Sequence, residues 1–191
     1  MLQLILVVLA IMLTSMYLLV IVNYVNPSNL GTNSATSYGN MTVAGFEALQ
    51  EAYKKATSPA ASAFGVLPTT TLVDQPAPAV LGSTYVDGGL AAGFIPSGYL
   101  RALPAAPAGY IWSYGGNNVT GVHWFCLSPA PGAGNITTEA VYLGLLKAQS
   151  RFNGHFSVTA GGQSTCGDTS SSPPPAGYPA DYVATLYPQA W

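Results

Sequence analysis

The chain opens on an unbroken apolar run. Residues Leu2 to Val25 read LQLILVVLAIMLTSMYLLVIVNYV, and the first charged side chain anywhere is Glu47. As a helix this run extends about 36 Å, enough for a bilayer core of about 30 Å. It is longer than the apolar part of a secretory signal, has no Lys or Arg before it, and no Ala-x-Ala after it,. The segment is therefore expected to remain in the mature chain as a hydrophobic N-terminal helix over 1–25. Residues 26–40, NPSNLGTNSATSYGN, hold turn and linker types. They predict a linker, with a hinge at Pro27.

Helical periodicity appears next. In MTVAGFEALQEAYKKAT, residues 41–57, Phe46, Leu49, Tyr53 and Ala56 share one stripe, and Asn40 or Thr42 is placed to cap it,. Glu51 and Lys55 stand one turn apart in the favourable order. Residues 58–109 are rich in Ala, Pro and Gly, which allows only short extended pieces such as Thr70–Val73 and Ser83–Val86,. Tyr110–Tyr114, the loop GGNN at 115–118 and Val119–Leu127 predict a β-hairpin,. A second amphipathic helix is expected over 136–152, capped by Asn135, with Val141, Leu145, Ala148 and Phe152 inward. Strands are expected at His155–Ala160 and Tyr182–Tyr187, on either side of a Ser/Pro-rich loop,. The expected fold class is α+β: a long hydrophobic N-terminal helix, then a β-rich head over 41–191 with an antiparallel sheet and one or two packed helices.

Charge and chemistry narrow the function. Of 191 residues only 6% are charged, against about a quarter in ordinary domains,. No basic patch is available for phosphates, so nucleic acid is not an expected partner. With 49% hydrophobic residues the chain is not of the disordered type,. Dinucleotide, phosphate-loop, nucleophile-elbow and zinc-protease signatures are missing, so no catalytic residue, metal or cofactor is assigned. His123, beside Val122, Trp124 and Phe125, reads as a packed, hydrogen-bonded histidine. Next to a membrane-entering N-terminus, Cys126 and Cys166 read better as a disulfide than as two inert core thiols. Closing a loop of about 40 residues stabilises by roughly 3–4 kcal/mol in the chain-entropy view. Asn40, Asn118 and Asn135 head Asn-x-Thr triplets and are candidate glycosylation sites,. The 12 Tyr and 3 Trp suit subunit contacts on a surface poor in charge,.

This layout resembles a type IV pilin-like subunit: an apolar N-terminal helix, a β-rich head and a disulfide toward the C-terminus. Bacterial major pilins carry Glu at the fifth position, and here stands Ile5. A Met at the first position suits the type IVb and archaeal branches, and archaeal pilins and some minor pilins lack that acid, so the resemblance is to the type IVb or archaeal branch. It implies a structural protein, not an enzyme, that self-associates into an extracellular homopolymer. Leu2, Leu4, Ile5, Val8, Ile11, Met12, Leu18 and Ile21 would form the assembly helix. Before assembly the chain would sit in the inner membrane and engage pilus assembly machinery. The other reading of the same features is a bitopic component of a pilus-assembly or secretion machine, with its head outside the cytoplasm.

Overall fold

Alternation along the strands puts most of the large apolar side chains on one face of a sheet and a row of small, mostly hydroxylated ones on the other, where Trp124 and Val183 also lie. The computed structural model describes residues 12–14, 27–57, 75–81, 100–117, 122–152, 154–168 and 177–188. Its main elements are α1 (Pro27–Thr57), β1 (Gln75–Val80), β2 (Tyr110–Asn117), β3 (Val122–Pro129), α2 (Glu139–Phe152), β4 (Phe156–Ala160) and β5 (Tyr182–Leu186). The strands form one antiparallel sheet in the order β1-β2-β3-β5-β4. The expected α+β class, with an antiparallel sheet and packed helices, is what these residues adopt.

The register writes two apolar rows across the sheet. One runs Tyr114, Phe125, Leu186, Phe156; the next runs Trp112, Leu127, Ala184, Val158. Both helices cover this face. α1 contributes Phe46, Leu49, Ala52 and Tyr53, and α2 contributes Val141, Tyr142, Leu145, Ala148 and Phe152. The opposite face carries the row Ser113, Cys126, Thr185, Ser157. Residues 161–168 bond onto it: the Gln163 amide donates to Ser113 Oγ at 3.1 Å, Gly167 N–H to Thr185 Oγ1 at 3.2 Å, and Ser157 Oγ to the Asp168 carbonyl at 2.8 Å. Small residues on that face let a backbone segment lie close while their hydroxyls satisfy it.

Several sequence expectations need correction. Within the linker expected over 26–40, residues 27–40 are helical instead: the helix Pro27–Thr57 is unbroken, and Asn26 lies outside the described residues. Proline is accepted there because the first turn of a helix needs no N–H from it. Asn40 and Thr42 accordingly lie inside α1 and cap nothing. The small residues of this stretch serve packing instead. At Gly144 of α2 an added Cβ would meet Tyr38 Cβ at 2.7 Å and Gly39 N at 2.9 Å, so two glycines let the helix backbones touch.

The hairpin is present with a later turn, since β2 continues through Gly115, Gly116 and Asn117. A Cβ at Gly115 would fall 1.9 Å from the Trp124 ring, and one at Gly116 would fall 2.3 Å from His123 Nδ1. These glycines make room for side chains of the paired strand. β1 was not expected, because it contains Pro76 and Pro78; at a sheet edge a missing N–H is tolerated. α2 starts at Glu139, and its cap is Thr138, whose Oγ1 accepts from Val141 N–H at 3.4 Å, rather than Asn135. The expected strands at 70–73 and 83–86 lie outside the described residues.

Just before α2, a buried polar knot ties the start of β2 to the start of β5. Tyr110 and Thr137 share a short hydroxyl–hydroxyl hydrogen bond, and Thr137 Oγ1 also accepts from Tyr182 N–H at 3.0 Å. Burial pushes the Tyr110 phenol up to about 12; the Asp181 carboxylate adds to this and the bond to Thr137 opposes it. The unfolded chain releases this proton near 10. Between these values the folded state holds more protons, so stability is complete below about pH 10 and falls as pH rises toward 12. Urea midpoints are expected to record a loss of roughly 2 kcal/mol between about pH 9 and 11.5. The Tyr110→Phe variant should lose less; equal slopes in both proteins would contradict this assignment.

Candidate assembly helix and its groove

At 31 residues, α1 is about 46 Å long,. Its inner stripe is committed to the core, with Phe46 and Leu49 fully buried. Its outer stripe, Ser37, Asn40, Ala44, Glu47 and Glu51, is exposed. α2 lies beside it in the same sense, since Gly39 meets Gly144 and Glu47 meets Arg151 further along both helices. Met12–Thr14, ahead of α1, are helical and exposed. Among the described residues no helix is long and apolar enough to cross a membrane. The assembly positions Leu2, Leu4, Ile5, Val8, Ile11, Leu18 and Ile21 lie outside the described residues; Met12 is 68% exposed.

Between the helices runs an open groove of about 500 Å³, with Val43 and Ala44 on one wall and Lys147, Ser150 and Arg151 on the other. Arg151 Nε lies 3.2 Å from Glu47 Oε1, and Lys147 Nζ donates to Thr36 Oγ1 at 3.3 Å. Lys55 pairs with Glu51 at 2.6 Å, as the spacing predicted. Its hydrogen bond and its positive charge hold the Glu51 carboxyl below the usual carboxylate range. All these pairs are solvent-exposed and contribute little to stability. The sequence reading missed Lys147 and Arg151. Their spacing of one helical turn, opposite the apolar stripe of α2, was the available signal.

Cys126 and Cys166 are joined as a disulfide, with Cα atoms 5.7 Å apart. Cys126 lies in β3 and Cys166 follows the short 3₁₀ turn Gln163–Thr165, so the bond staples that turn to the far face of the sheet. Trp124 sits beside it, held between Gly115 and Gly167, where an added Cβ would fall 2.7 Å from Trp124 Nε1. His123 is buried, and its Nδ1 is 2.6 Å from the Tyr114 hydroxyl; the rings stack at 10°. It is the packed histidine that the sequence suggested. Asn40 is exposed on α1, Asn135 is exposed in the turn before α2, and Asn118 lies outside the described residues. Among the described residues no three His, Cys, Asp or Glu side chains group as metal ligands. No family model, curated protein or solved structure matches the chain.

Proposed function

We propose that this chain is a pilin-like structural subunit that assembles through its N-terminal helix into an extracellular filament. The observation that carries the reading is α1. It starts two residues after the apolar run ends at Val25, and its inner stripe is fixed to an antiparallel sheet by Phe46, Leu49, Ala52 and Tyr53. The helix is thus anchored in the head, and in sequence it follows the apolar segment almost directly. In this mechanism residues 1–25 hold the subunit in the inner membrane and then bundle with copies of themselves. That burial gives about 25 cal/mol per Å² of apolar surface. The assembly machinery transfers the subunit from one environment to the other, and the heads form the outer layer. The disulfide supports an extracytoplasmic head, because such bonds persist in oxidising compartments,.

Electron microscopy of material sheared from intact cells tests this, with the N-terminal peptide identified in the same fraction. Filaments containing this chain are expected without detergent. Ile11→Asp is expected to abolish them, because a carboxylate in the apolar bundle costs on the order of 3 kcal/mol per subunit, while circular dichroism of the head stays unchanged. A chain found only in the membrane fraction, with no filament, would instead be a bitopic machine component.

A further inference from the structure

The triplet Asn40-Met41-Thr42 lies in the middle of α1. Asn40 points outward and opens on the groove between the helices. Thr42, on the inner side, is 0% exposed, and its Oγ1 has no hydrogen-bond partner. Buried hydroxyls are normally paired, because leaving one unmade carries the full desolvation penalty. Valine has the same shape without that penalty, so the folded core gives no reason for threonine. The other described triplet differs. Thr137, two residues after Asn135, is also 0% exposed, but its hydroxyl bonds Tyr110 and Tyr182 and is explained by the fold.

Three buried side-chain atoms among the described residues lack partners: Thr42 Oγ1, Gln50 Nε2 and Ser128 Oγ. Of these only Thr42 stands two places after an exposed asparagine. A hydroxyl at that spacing is what an N-glycosylation acceptor requires. In the folded head a transferase cannot reach it. We infer that Asn40 is N-glycosylated on the unfolded chain, and that Thr42 is retained for that step and then buried. The donor is a lipid-linked sugar phosphate. The Asn40 amide nitrogen forms a bond to the anomeric carbon, the bond from that carbon to the phosphate oxygen breaks, the lipid phosphate departs with the electron pair, and the amide gives up one proton to solvent. After folding, the sugar emerges into the groove, where Glu47, Ser150 and Lys147 offer polar partners over Val43 and Ala44. An uncharged, hydrated cover also suits a surface so poor in charge.

The inference rests on the extracytoplasmic placement proposed above. The experiment is peptide mass spectrometry of the full chain from its native cells, with free thiols trapped by alkylation during a pulse of synthesis. A sugar mass on Asn40 is expected, present already in chains whose Cys126 and Cys166 are still reduced. Thr42→Ser should keep the modification and Thr42→Val should lose it. When both are made in cells without glycosylation, Thr42→Val should also melt about 2–4 °C above the parent. An unmodified Asn40, a sugar found only on oxidised chains, or a Thr42→Val midpoint equal to or below the parent overturns the inference. A bare Asn40 in chains with the disulfide formed and filaments present refutes glycosylation alone. A bare Asn40 in reduced, cytoplasmic chains refutes the placement as well.

Discussion

Replacing Phe46 with alanine is expected to cost about 3–5 kcal/mol of folding free energy. Phe46 is fully buried, and its ring meets Trp112 of β2 at 4.8 Å, Phe156 of β4 at 5.0 Å and Phe152 of α2 at 6.1 Å, each edge-on. Four elements therefore converge on one side chain. The site cannot close easily over the gap. Trp112 is pinned by its Nε1–H donating to the Pro104 carbonyl at 2.9 Å, and its ring lies where a Cβ on Gly45 would fall, 2.4 Å from Cζ2. A cavity that cannot relax puts the cost in the upper part of the range. Domains are stable by only about 5–15 kcal/mol, so this variant would fold marginally. Urea unfolding of the full chain in mild detergent measures it, with Leu143→Ala as the surface control. Leu143 is 45% exposed and should change stability by no more than about 0.5 kcal/mol,. A Phe46→Ala loss below about 1 kcal/mol would mean that α1 is not held by this aromatic cluster.

The two helical stripes were legible because their side chains obey one rule at once, the 3.6-residue period that places Phe46, Leu49 and Tyr53, or Val141, Leu145, Ala148 and Phe152, against the sheet,. The hairpin was legible from its aromatic strands, but its turn was not. Gly115 and Gly116 look like turn residues when read alone, and become strand residues only once Trp124 and His123 are known to lie across from them. The same blindness affects residues 27–40. Asn, Ser and Gly have weak helix propensity, and their local preference is overridden where Gly39 and Ala35 meet Gly144 of α2,. Nothing local encodes that contact, because the two helices are about a hundred residues apart in sequence. Strand order is hidden for the same reason: β5 inserts between β3 and β4, and only the long-range pairing of Phe125 with Leu186 reveals it. The groove went unseen because its polar rim draws on both helices.

Reducing the Cys126–Cys166 bond is expected to lower stability by about 4 kcal/mol, close to the loss at Phe46 but by a different route. The bond closes a loop with a sequence separation of 40, which contains α2 and β4. Cutting it frees the unfolded chain, so the entropy of the denatured state rises while the aromatic core keeps its contacts. The folded state is affected only on the far face. There the bonds from Gln163, Gly167 and Ser157, the one that the Tyr187 hydroxyl donates to the Gly167 carbonyl at 2.5 Å, and the one from Gly161 N–H to the Asp181 carbonyl at 3.0 Å are among those that still hold the segment 161–168. Each is worth about 1 kcal/mol, so the segment should open locally before the domain unfolds. Two readouts separate these effects. The urea midpoint of the full chain with and without dithiothreitol gives the global loss, and a difference below about 1 kcal/mol would show that the denatured state is compact without the bond. Hydrogen exchange gives the local one: amides at Gly167 and Asp168 should exchange much faster after reduction, while those of Phe125 and Leu186 keep pace with global unfolding. Equal acceleration at all four would place the disulfide in the cooperative core, and the strap over the far face would not be a separate unit.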